Sequence, residues 1–198
     1  MRLILVRHGE SVGNSQRLIQ GQTPGELTEH GFEQASLLAK RLLKENISHI
    51  YVSPQNRCIQ TLDEISKVVT TPHITVDNRI KERAYGDYEG TSRSAVDLKS
   101  LDDDTVINHN MGVETIAEME IRASEFLNSL NIDARTNDTV LVVSHGQILR
   151  VLLLILLRKT YHEILEAFQM NNTCLFILDI NGTDVTPVLL DSTKHLES

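Results

Sequence analysis

Short apolar runs alternate along this chain with stretches whose apolar residues recur at helical spacing. Four runs have the length of buried strands: residues 3–6, 50–52, 74–76 and 140–143. Four stretches predict helices, the first starting after Thr28 and the second holding Arg57 in its first turn: residues 29–46, 57–69, 114–130 and 148–157. Strands that alternate with amphipathic helices predict an α/β fold in which helices cover both faces of a sheet.

The C-terminal part of the chain predicts a different connection. Residues 174–179 and 185–190 have strand patterns on either side of a turn-rich segment at 181–184, so we expect at least one antiparallel pair. The apolar stretch at 148–157 is about half the roughly 20 residues that span a bilayer, and it contains Arg150. We therefore expect a buried helix there and no membrane partner.

Polar residues end two of the predicted strands in a similar way. The run at 3–6 leads into Arg7, His8 and Gly9, and the run at 140–143 leads into Ser144, His145 and Gly146. A cation, an imidazole and a glycine at the end of a buried strand are suited to form a catalytic or binding site. Two strands that each end in His-Gly predict one shared site.

Length, composition and charge narrow the class of protein. The 198 residues, 40% of them hydrophobic, fit one globular domain over residues 1–198. The net charge of −8 argues against a nucleic-acid partner, so an anionic ligand would need a local cationic pocket. Cys58 and Cys174 have no C-x-x-C spacing, and no cationic leader precedes an apolar signal core. We expect a cytoplasmic protein.

An ordered set of short motifs runs through nearly the whole chain. Its residues are Leu5 to Ser11, Leu27, Thr28, Gly31, Ser53, Pro54, Arg57, Thr61, Glu82, Tyr85, Gly86, Glu89, Gly90, Ser144 to Gly146, Asn172, His195 and Leu196. Together they resemble the histidine phosphatase superfamily, the phosphoglycerate-mutase-like proteins. The resemblance implies a three-layer α/β/α sandwich with a mixed, mostly parallel sheet, an active site at the strand ends, no metal and no cofactor.

The chemistry of phosphoryl transfer assigns roles to five of these residues. The transferred group spreads negative charge over its oxygens, so it needs fixed cations and an aligned nucleophile. His8 is the predicted nucleophile, because a neutral imidazole nitrogen can attack phosphorus when a hydrogen bond to the other nitrogen fixes the tautomer. Arg7 and Arg57 offer forked donors that match phosphate oxygens. The alternative for His8 is a histidine whose hydrogen bonds only stabilise the fold, and the alternative for the two arginines is a pair of surface salt bridges.

His145 and Glu82 complete the predicted catalytic set. The resemblance assigns His145 to the phosphate-binding core, where a protonated imidazole would add positive charge. A metal ligand or a packed histidine is the alternative. The resemblance also puts Glu82 opposite the nucleophile, as the acid that protonates the leaving oxygen and then the base that activates water. Glu10, Asp87 and Glu89 compete for that role.

Further residues after the first strand are candidates for substrate contacts. Asn14 matches a position that contacts phosphate in the family, although Gly13 stands where a large aromatic residue often precedes it. Ser11, Gln22 and Thr28 are further donors, with ordinary turn chemistry as the alternative. The predicted substrate-binding set is Arg7, Ser11, Asn14, Gln22, Arg57, His145 and Gly146.

Three functions fit this pattern, and we favour the first. It is a phosphomonoesterase that hydrolyses a small phosphorylated metabolite through phospho-His8, with that metabolite and a homodimer as the expected partners. The second is a phosphoglycerate mutase, whose relatives carry an Arg-Arg pair in an insertion where this chain has only Arg93 and Lys99 within 90–112. The third is a noncatalytic phosphate-binding module, which retention of all five catalytic candidates disfavours.

Overall fold

A mixed sheet of six strands organises the structure. The structure is a computed structural model, and it describes residues 1–70, 73–98, 100–102, 111–130 and 137–197. The strands are β1 (Arg2–Arg7), β2 (His49–Val52), β3 (Ile74–Val76), β4 (Thr139–Ser144), β5 (Leu175–Asn181) and β6 (Asp184–Ser192). Their order across the sheet is β3-β2-β4-β1-β5-β6. Lys99 lies outside the described residues.

Parallel pairing joins the first four strands, and antiparallel pairing adds the last two. β4 lies between β1 and β2 and is parallel to both, while β3 extends the sheet beside β2. β5 runs antiparallel to β1, and β6 runs antiparallel to β5. The predicted α/β class and the predicted antiparallel pair are confirmed.

Helices cover both faces of this sheet. The α-helices among the described residues are α1 (Val12–Ser15), α2 (Glu29–Leu42), α3 (Asn56–Ser66), α4 (Ile116–Ser129), α5 (Gly146–Leu157) and α6 (Tyr161–Ala167). Short 3₁₀ helices lie at Asn78–Ile80, Gly86–Tyr88, Arg93–Ala95, Ser100–Asp102 and Lys194–Leu196. No helix in these parts of the chain is long and apolar enough to cross a membrane.

Alternate residues of the central strands point into two separate cores. Leu3 and Leu5 of β1 pack with residues of α4 and α5, whereas Ile4 and Val6 pack with residues of α2 and α3. Side chains of successive strand residues point to opposite faces, so an unbroken apolar run supplies both cores at once. This explains why the central strands contain no alternation of polar and apolar residues.

The register of the parallel strands brings their carboxyl ends together. Arg7 pairs with Ser144, and Val52 pairs with Val143. The residues that follow, His8, Ser53 and His145, therefore lie at one edge of the sheet. Ligands of open α/β sheets bind beyond this edge of the parallel strands.

The helix boundaries follow their caps more closely than the apolar pattern. Thr28 accepts a hydrogen bond from the amide of Gly31, which begins α2 where predicted. This helix ends at Leu42, before the predicted end at Asn46, and the next apolar residue, Leu43, is exposed. Helices α1 and α6 were not predicted from apolar periodicity. A Thr160–Glu163 capping box starts α6 and is a usable sequence signal.

Candidate active site

His8 directly follows β1 and is 2% exposed. Its amide donates to Ser144 O at 3.0 Å, so the backbone after β1 stays joined to β4. The amide of Gly9 donates to Thr61 Oγ1 at 3.0 Å, and that hydroxyl donates to Arg57 O at 2.7 Å. The position of the imidazole is thus fixed from two neighbouring elements.

A hydrogen bond assigns the tautomer of His8. Nδ1 lies 2.7 Å from the carbonyl oxygen of Gly9. Since a carbonyl oxygen only accepts, Nδ1 carries the proton and Nε2 keeps its lone pair. Burial, together with the Arg57 and Arg7 guanidinium groups, lowers the pKa of His8 well below its usual value. The imidazole is therefore neutral near pH 7, as nucleophilic attack requires.

Glycine at position 9 is required by a close approach of two backbones. A Cβ on Gly9 would lie 2.4 Å from the carbonyl oxygen of Gly31, at the start of α2. No side chain fits at that distance without a backbone shift. The glycine lets α2 pack directly against the chain that carries His8.

Arg57, in the first turn of α3, is 1% exposed and links three parts of the site. Its Nε donates to His145 Nδ1 at 3.2 Å, and its Nη2 donates to Gly21 O at 2.8 Å. Nη1 donates to Thr23 O at 3.2 Å. These contacts use three of the five guanidinium N–H groups, which leaves two for a ligand.

His145 lies directly behind His8, with ring centroids 5.1 Å apart in an edge-to-face arrangement. Its Nδ1 accepts from Arg57, so Nε2 carries the proton and donates to Ser53 Oγ at 2.8 Å. Burial and the nearby Arg57 lower the pKa of His145 well below its usual value. Cys58 Sγ packs 3.3 Å from Nε2. In this structure His145 is a neutral hydrogen-bonded residue and adds no positive charge.

Arg7 turns its guanidinium toward the same space. Nη1 donates to Met170 O, and Nε is buried without a hydrogen-bond partner. Burial lowers the pKa of Arg7 from its ordinary value, and the nearby Glu82 opposes that effect. A buried donor without a partner costs about 1–3 kcal/mol, so an anion that accepts from Nε would recover this free energy.

The Glu82 carboxylate is held at the N-terminus of α5. Oε1 accepts from the amides of Arg83 at 3.0 Å, Gln147 at 3.1 Å and Ile148 at 3.4 Å. The Glu82 amide donates to Gln55 Oε1 at 2.7 Å. Amides at a helix N-terminus favour negative charge, and here they fix the orientation of the carboxylate.

One cavity of about 130 Å³ joins these groups. Among the residues with predicted roles, those in its wall are Arg7, His8, Asn14, Arg57, Glu82 and Gly146. Of the four carboxylates weighed for acid-base chemistry, Glu82 is the one in the wall. Glu10 accepts from the Thr28 hydroxyl at 2.8 Å, and Glu89 accepts from the amides of Gln22 and Tyr85.

The other three members of the predicted substrate-binding set lie outside the wall. His145 is behind His8, as described above. Ser11 is buried, and its hydroxyl accepts from the Asn14 amide and contacts Asn14 Oδ1 and Gln20 Oε1. Gln22 is exposed, and its Nε2 donates to the Glu82 carbonyl oxygen at 3.0 Å. Ser11 and Gln22 thus hold the loop and the carboxylate segment in position.

The side chain of Gln20 fills the space beside Gly13. A Cβ on Gly13 would lie 2.4 Å from Gln20 Cγ. A larger residue at position 13 would therefore displace the Gln20 side chain from its place. Gln20 itself lines the cavity, and its Oε1 accepts from Ser11 at 2.8 Å.

Several wall residues were not predicted to belong to the site. They are Gln20, Tyr85, Arg93, Gln147 and Arg150. Arg93 is held near the first loop because its amide donates to Arg17 O at 2.9 Å. Asn172 also supports the site, since its Nδ2 donates to His8 O and to Asn14 Oδ1, each at 3.1 Å. Arg150 carried a usable sequence signal, since it is the one cation in the otherwise apolar stretch at 148–157.

Comparison with curated proteins finds relatives that match from about three quarters to nearly all of the chain. "Putative phosphoserine phosphatase 2" of Hydrogenobacter thermophilus is 33% identical, covering 98% of this chain and 97% of its own. "Probable phosphoglycerate mutase GpmB" of Photorhabdus laumondii is 35% identical, covering 74% of this chain and 70% of its own. One of these relatives is named as a phosphatase and the other as a mutase.

Solved structures share the fold over nearly every residue. YhfR of Bacillus stearothermophilus has a TM-score of 0.88 at 26% identity. The match covers 98% of this chain and 98% of that one. The phosphoserine phosphatase of Entamoeba histolytica, in complex with 3-phosphoglyceric acid, has a TM-score of 0.84 at 29% identity with the same coverage. The phosphoglycerate-mutase-like architecture predicted above is confirmed.

A sequence profile identifies the family of this chain. The profile of the histidine phosphatase superfamily (branch 1) matches residues 3–193, which includes every residue of the cavity wall named above. By this match, this chain belongs to the histidine phosphatase superfamily, branch 1.

Proposed function

We propose that this protein is a phosphomonoesterase that hydrolyses a small phosphorylated metabolite through a phosphohistidine on His8. The observation that carries the proposal is the 2.7 Å contact between His8 Nδ1 and Gly9 O, which leaves Nε2 unprotonated in a cavity lined by Arg7 and Arg57. A neutral, oriented imidazole beside two guanidinium groups is suited to attack a phosphoryl dianion.

In the first step, His8 Nε2 attacks phosphorus. A P–N bond forms while the P–O bond to the leaving group breaks. Glu82, in the protonated state, donates its proton to the departing oxygen, so the alcohol leaves uncharged. Arg7 and Arg57 donate hydrogen bonds to the phosphoryl oxygens, where negative charge is spread in the transition state.

In the second step, water releases the phosphoryl group. The Glu82 carboxylate formed in the first step takes a proton from the water, whose oxygen attacks phosphorus as the P–N bond breaks. Inorganic phosphate leaves, His8 regains its lone pair, and Glu82 is again protonated. Each residue therefore returns to its starting state, and no cofactor enters the cycle.

His145 has a supporting role in this scheme. Its Nδ1 holds Arg57 Nε at 3.2 Å, which fixes the guanidinium beside the reacting group. While Nδ1 accepts from Arg57, the imidazole stays neutral, in agreement with its lowered pKa, so His145 acts by orienting Arg57.

The similarity to named phosphatases supports the same class of reaction. The relative in Hydrogenobacter thermophilus and the structural neighbour in Entamoeba histolytica are both named as phosphoserine phosphatases. Phosphoserine is a small phosphomonoester, which agrees with the modest size of the cavity. We extend to this chain the reaction class only: hydrolysis of a small phosphomonoester.

Hydrolysis of p-nitrophenyl phosphate by metal-chelated protein tests the proposal. We expect the wild type to release phosphate and His8→Ala to lose at least about a thousandfold in kcat. His162→Ala is the matched control, because that histidine is exposed on α6, and it should retain full activity. Equal turnover by wild type and His8→Ala contradicts the assignment of the nucleophile.

Trapping of the phosphoenzyme separates hydrolysis from mutase chemistry. Rapid quenching into alkali, in which a phosphohistidine survives, should recover labelled phosphate on wild-type protein and none on His8→Ala. With 3-phosphoglycerate as substrate, phosphate release should outpace isomerisation. The opposite order of rates would favour a mutase.

A further inference from the structure

Two guanidinium groups approach one another across Gly146. A Cβ built on Gly146 would lie 3.7 Å from Arg7 Nε and 3.7 Å from Arg150 Nη1. Both side chains line the cavity, and Arg150 comes from the second turn of α5. Because Gly146 has no side chain, the space between the two cations stays open to a ligand.

Arg150 has donors that no described residue satisfies. Its Nη2 donates to Phe168 O at 3.1 Å and contacts Gln169 O at 3.4 Å, which anchors one corner of the guanidinium. Its Nε is buried without a hydrogen-bond partner. Within the described part of the chain, no carboxylate forms an ion pair with Arg150. The side chain is therefore oriented, partly desolvated and unneutralised.

The charges in the cavity wall exceed what a phosphoryl group neutralises. Four arginines, Arg7, Arg57, Arg93 and Arg150, line the cavity together with one carboxylate, Glu82. This local excess stands in a chain whose net charge is −8. A phosphomonoester carries at most two negative charges. The four arginines therefore outnumber the three negative charges of the Glu82 carboxylate and a phosphoryl dianion together.

We propose that Arg150 binds a carboxylate of the substrate, so that the substrates are short-chain phosphorylated carboxylic acids. The inference rests on the proposed function, because that function engages Arg7 and Arg57 with the phosphoryl group. Arg150 Nη1, which lies 3.7 Å from a Cβ built on Gly146, then donates a charge-assisted hydrogen bond to the carboxylate. Arg93, exposed at the cavity rim, adds attraction for an approaching polyanion.

The geometry also limits the length of the substrate. Arg7 Nε and Arg150 Nη1 lie at equal distances from one point on Gly146, so the phosphoryl and carboxylate sites are neighbours. A long chain between the two anionic groups would have to fold back on itself within about 130 Å³. Hydroxy acids and amino acids phosphorylated on a nearby hydroxyl meet this limit.

A pair of substrates with the same carbon skeleton tests the proposal without altering the protein. In 3-phosphoglycerate a carboxylate stands where glycerol 3-phosphate has an uncharged hydroxymethyl group. We expect the wild type to hydrolyse 3-phosphoglycerate with a kcat/KM at least about tenfold higher than glycerol 3-phosphate, because the charge-assisted contact with Arg150 is lost with the second substrate. Equal kcat/KM values for the two substrates would overturn the proposal.

Arg150→Gln tests the residue itself. We expect this change to lower kcat/KM for 3-phosphoglycerate at least about tenfold and to leave glycerol 3-phosphate and p-nitrophenyl phosphate within about threefold of wild type. Arg150→Lys keeps the charge but changes the position of the donor, so its kcat/KM for 3-phosphoglycerate should lie between those of wild type and Arg150→Gln. Arg158→Gln, the same change at an exposed position after α5, is the matched control and should leave both rates unaltered.

The outcomes separate this inference from the proposed function. An equal loss on all three substrates assigns Arg150 to the phosphoryl site and overturns the inference, as does an unchanged preference in Arg150→Gln. If the wild type hydrolyses no phosphomonoester, the proposed function fails. Calorimetric binding of the same two compounds to His8→Ala, with and without Arg150→Gln, then still reports whether Arg150 selects the carboxylate. Circular dichroism checks that each variant is folded.

Discussion

Arg57 Nε donates a hydrogen bond of 3.2 Å to Nδ1 of His145. A guanidinium carries no acceptor, so this contact requires His145 Nδ1 to be unprotonated. His145 is fully buried, and its Nε2 proton is directed to Ser53 Oγ. The second histidine of the site is therefore neutral in the free protein.

The neutrality of the two buried histidines predicts a pH dependence of stability. Burial, Arg57 and Arg7 lower the pKa of His8 and of His145 well below about 6.5, the value of the unfolded chain. Below pH 6.5 the unfolded state binds protons that the folded state excludes. Stability is thus full above pH 6.5 and is lost as the pH falls, by up to about 1.4 kcal/mol per pH unit for each histidine.

His145→Gln isolates one of these contributions. The amide side chain keeps an acceptor for Arg57 and a donor for Ser53 but does not titrate. We expect urea unfolding between pH 7.5 and 5.0 to show a shallower loss of unfolding free energy in this variant than in wild type. His162→Gln, at an exposed position, is the control. Identical slopes for wild type and His145→Gln would rule out the neutral assignment.

Glu82→Gln should separate the two chemical steps. The glutamine side chain keeps an oxygen that accepts from the Arg83 and Gln147 amides, so the geometry is retained. p-Nitrophenolate leaves without a proton, whereas an alkoxide does not. We therefore expect hydrolysis of an alkyl phosphate to fall at least about 100-fold, while p-nitrophenyl phosphate gives a burst of nitrophenolate as phosphohistidine accumulates.

Stopped-flow absorbance and alkaline quenching measure the burst and the phosphoenzyme in Glu82→Gln. Asp87→Gln is the comparison variant, since Asp87 is an exposed carboxylate outside the cavity wall, and it should behave as wild type. Equal losses on the aryl and alkyl substrates without a burst would show that Glu82 does not transfer the proton.

Two glycine substitutions should differ in stability for a reason visible in their surroundings. In Gly9→Ala the new Cβ meets a backbone oxygen, that of Gly31, at 2.4 Å. In Gly13→Ala it meets Gln20 Cγ at 2.4 Å, in a side chain that can rotate away. We expect Gly9→Ala to lose about 1–3 kcal/mol of unfolding free energy and Gly13→Ala to lose less. Denaturant melts compare the two, and equal midpoints would contradict this account.

Local sequence patterns were sufficient to predict the strand ends that carry the site. The runs before His8 and His145 are continuously apolar because both faces of β1 and β4 are covered by helices. Each run stops where polar residues begin, and the parallel register then aligns the two ends. Arg57 was predictable for the same reason, since a strand and a helix start flank it.

Side-chain directions were not predictable in this way. Arg150 belongs to an apolar helix whose pattern indicates burial, yet its guanidinium lies in the cavity. Ser11 and Gln22 were predicted to contact substrate, and their polar groups instead bond to Asn14 and to the Glu82 carbonyl oxygen. A polar residue in a loop has several partners within reach, and the folded chain decides which it takes.

The sequence by itself determined the α/β class, the two His-Gly strand ends and the residues available for phosphoryl chemistry, because apolar runs and motif spacing are local properties. Only the tertiary structure decided the tautomers of His8 and His145, the placement of Glu82, rather than Glu10 or Glu89, in the cavity wall, and the approach of Arg150 to Arg7. Each of these depends on contacts between residues that lie far apart along the chain, which burial and packing bring together.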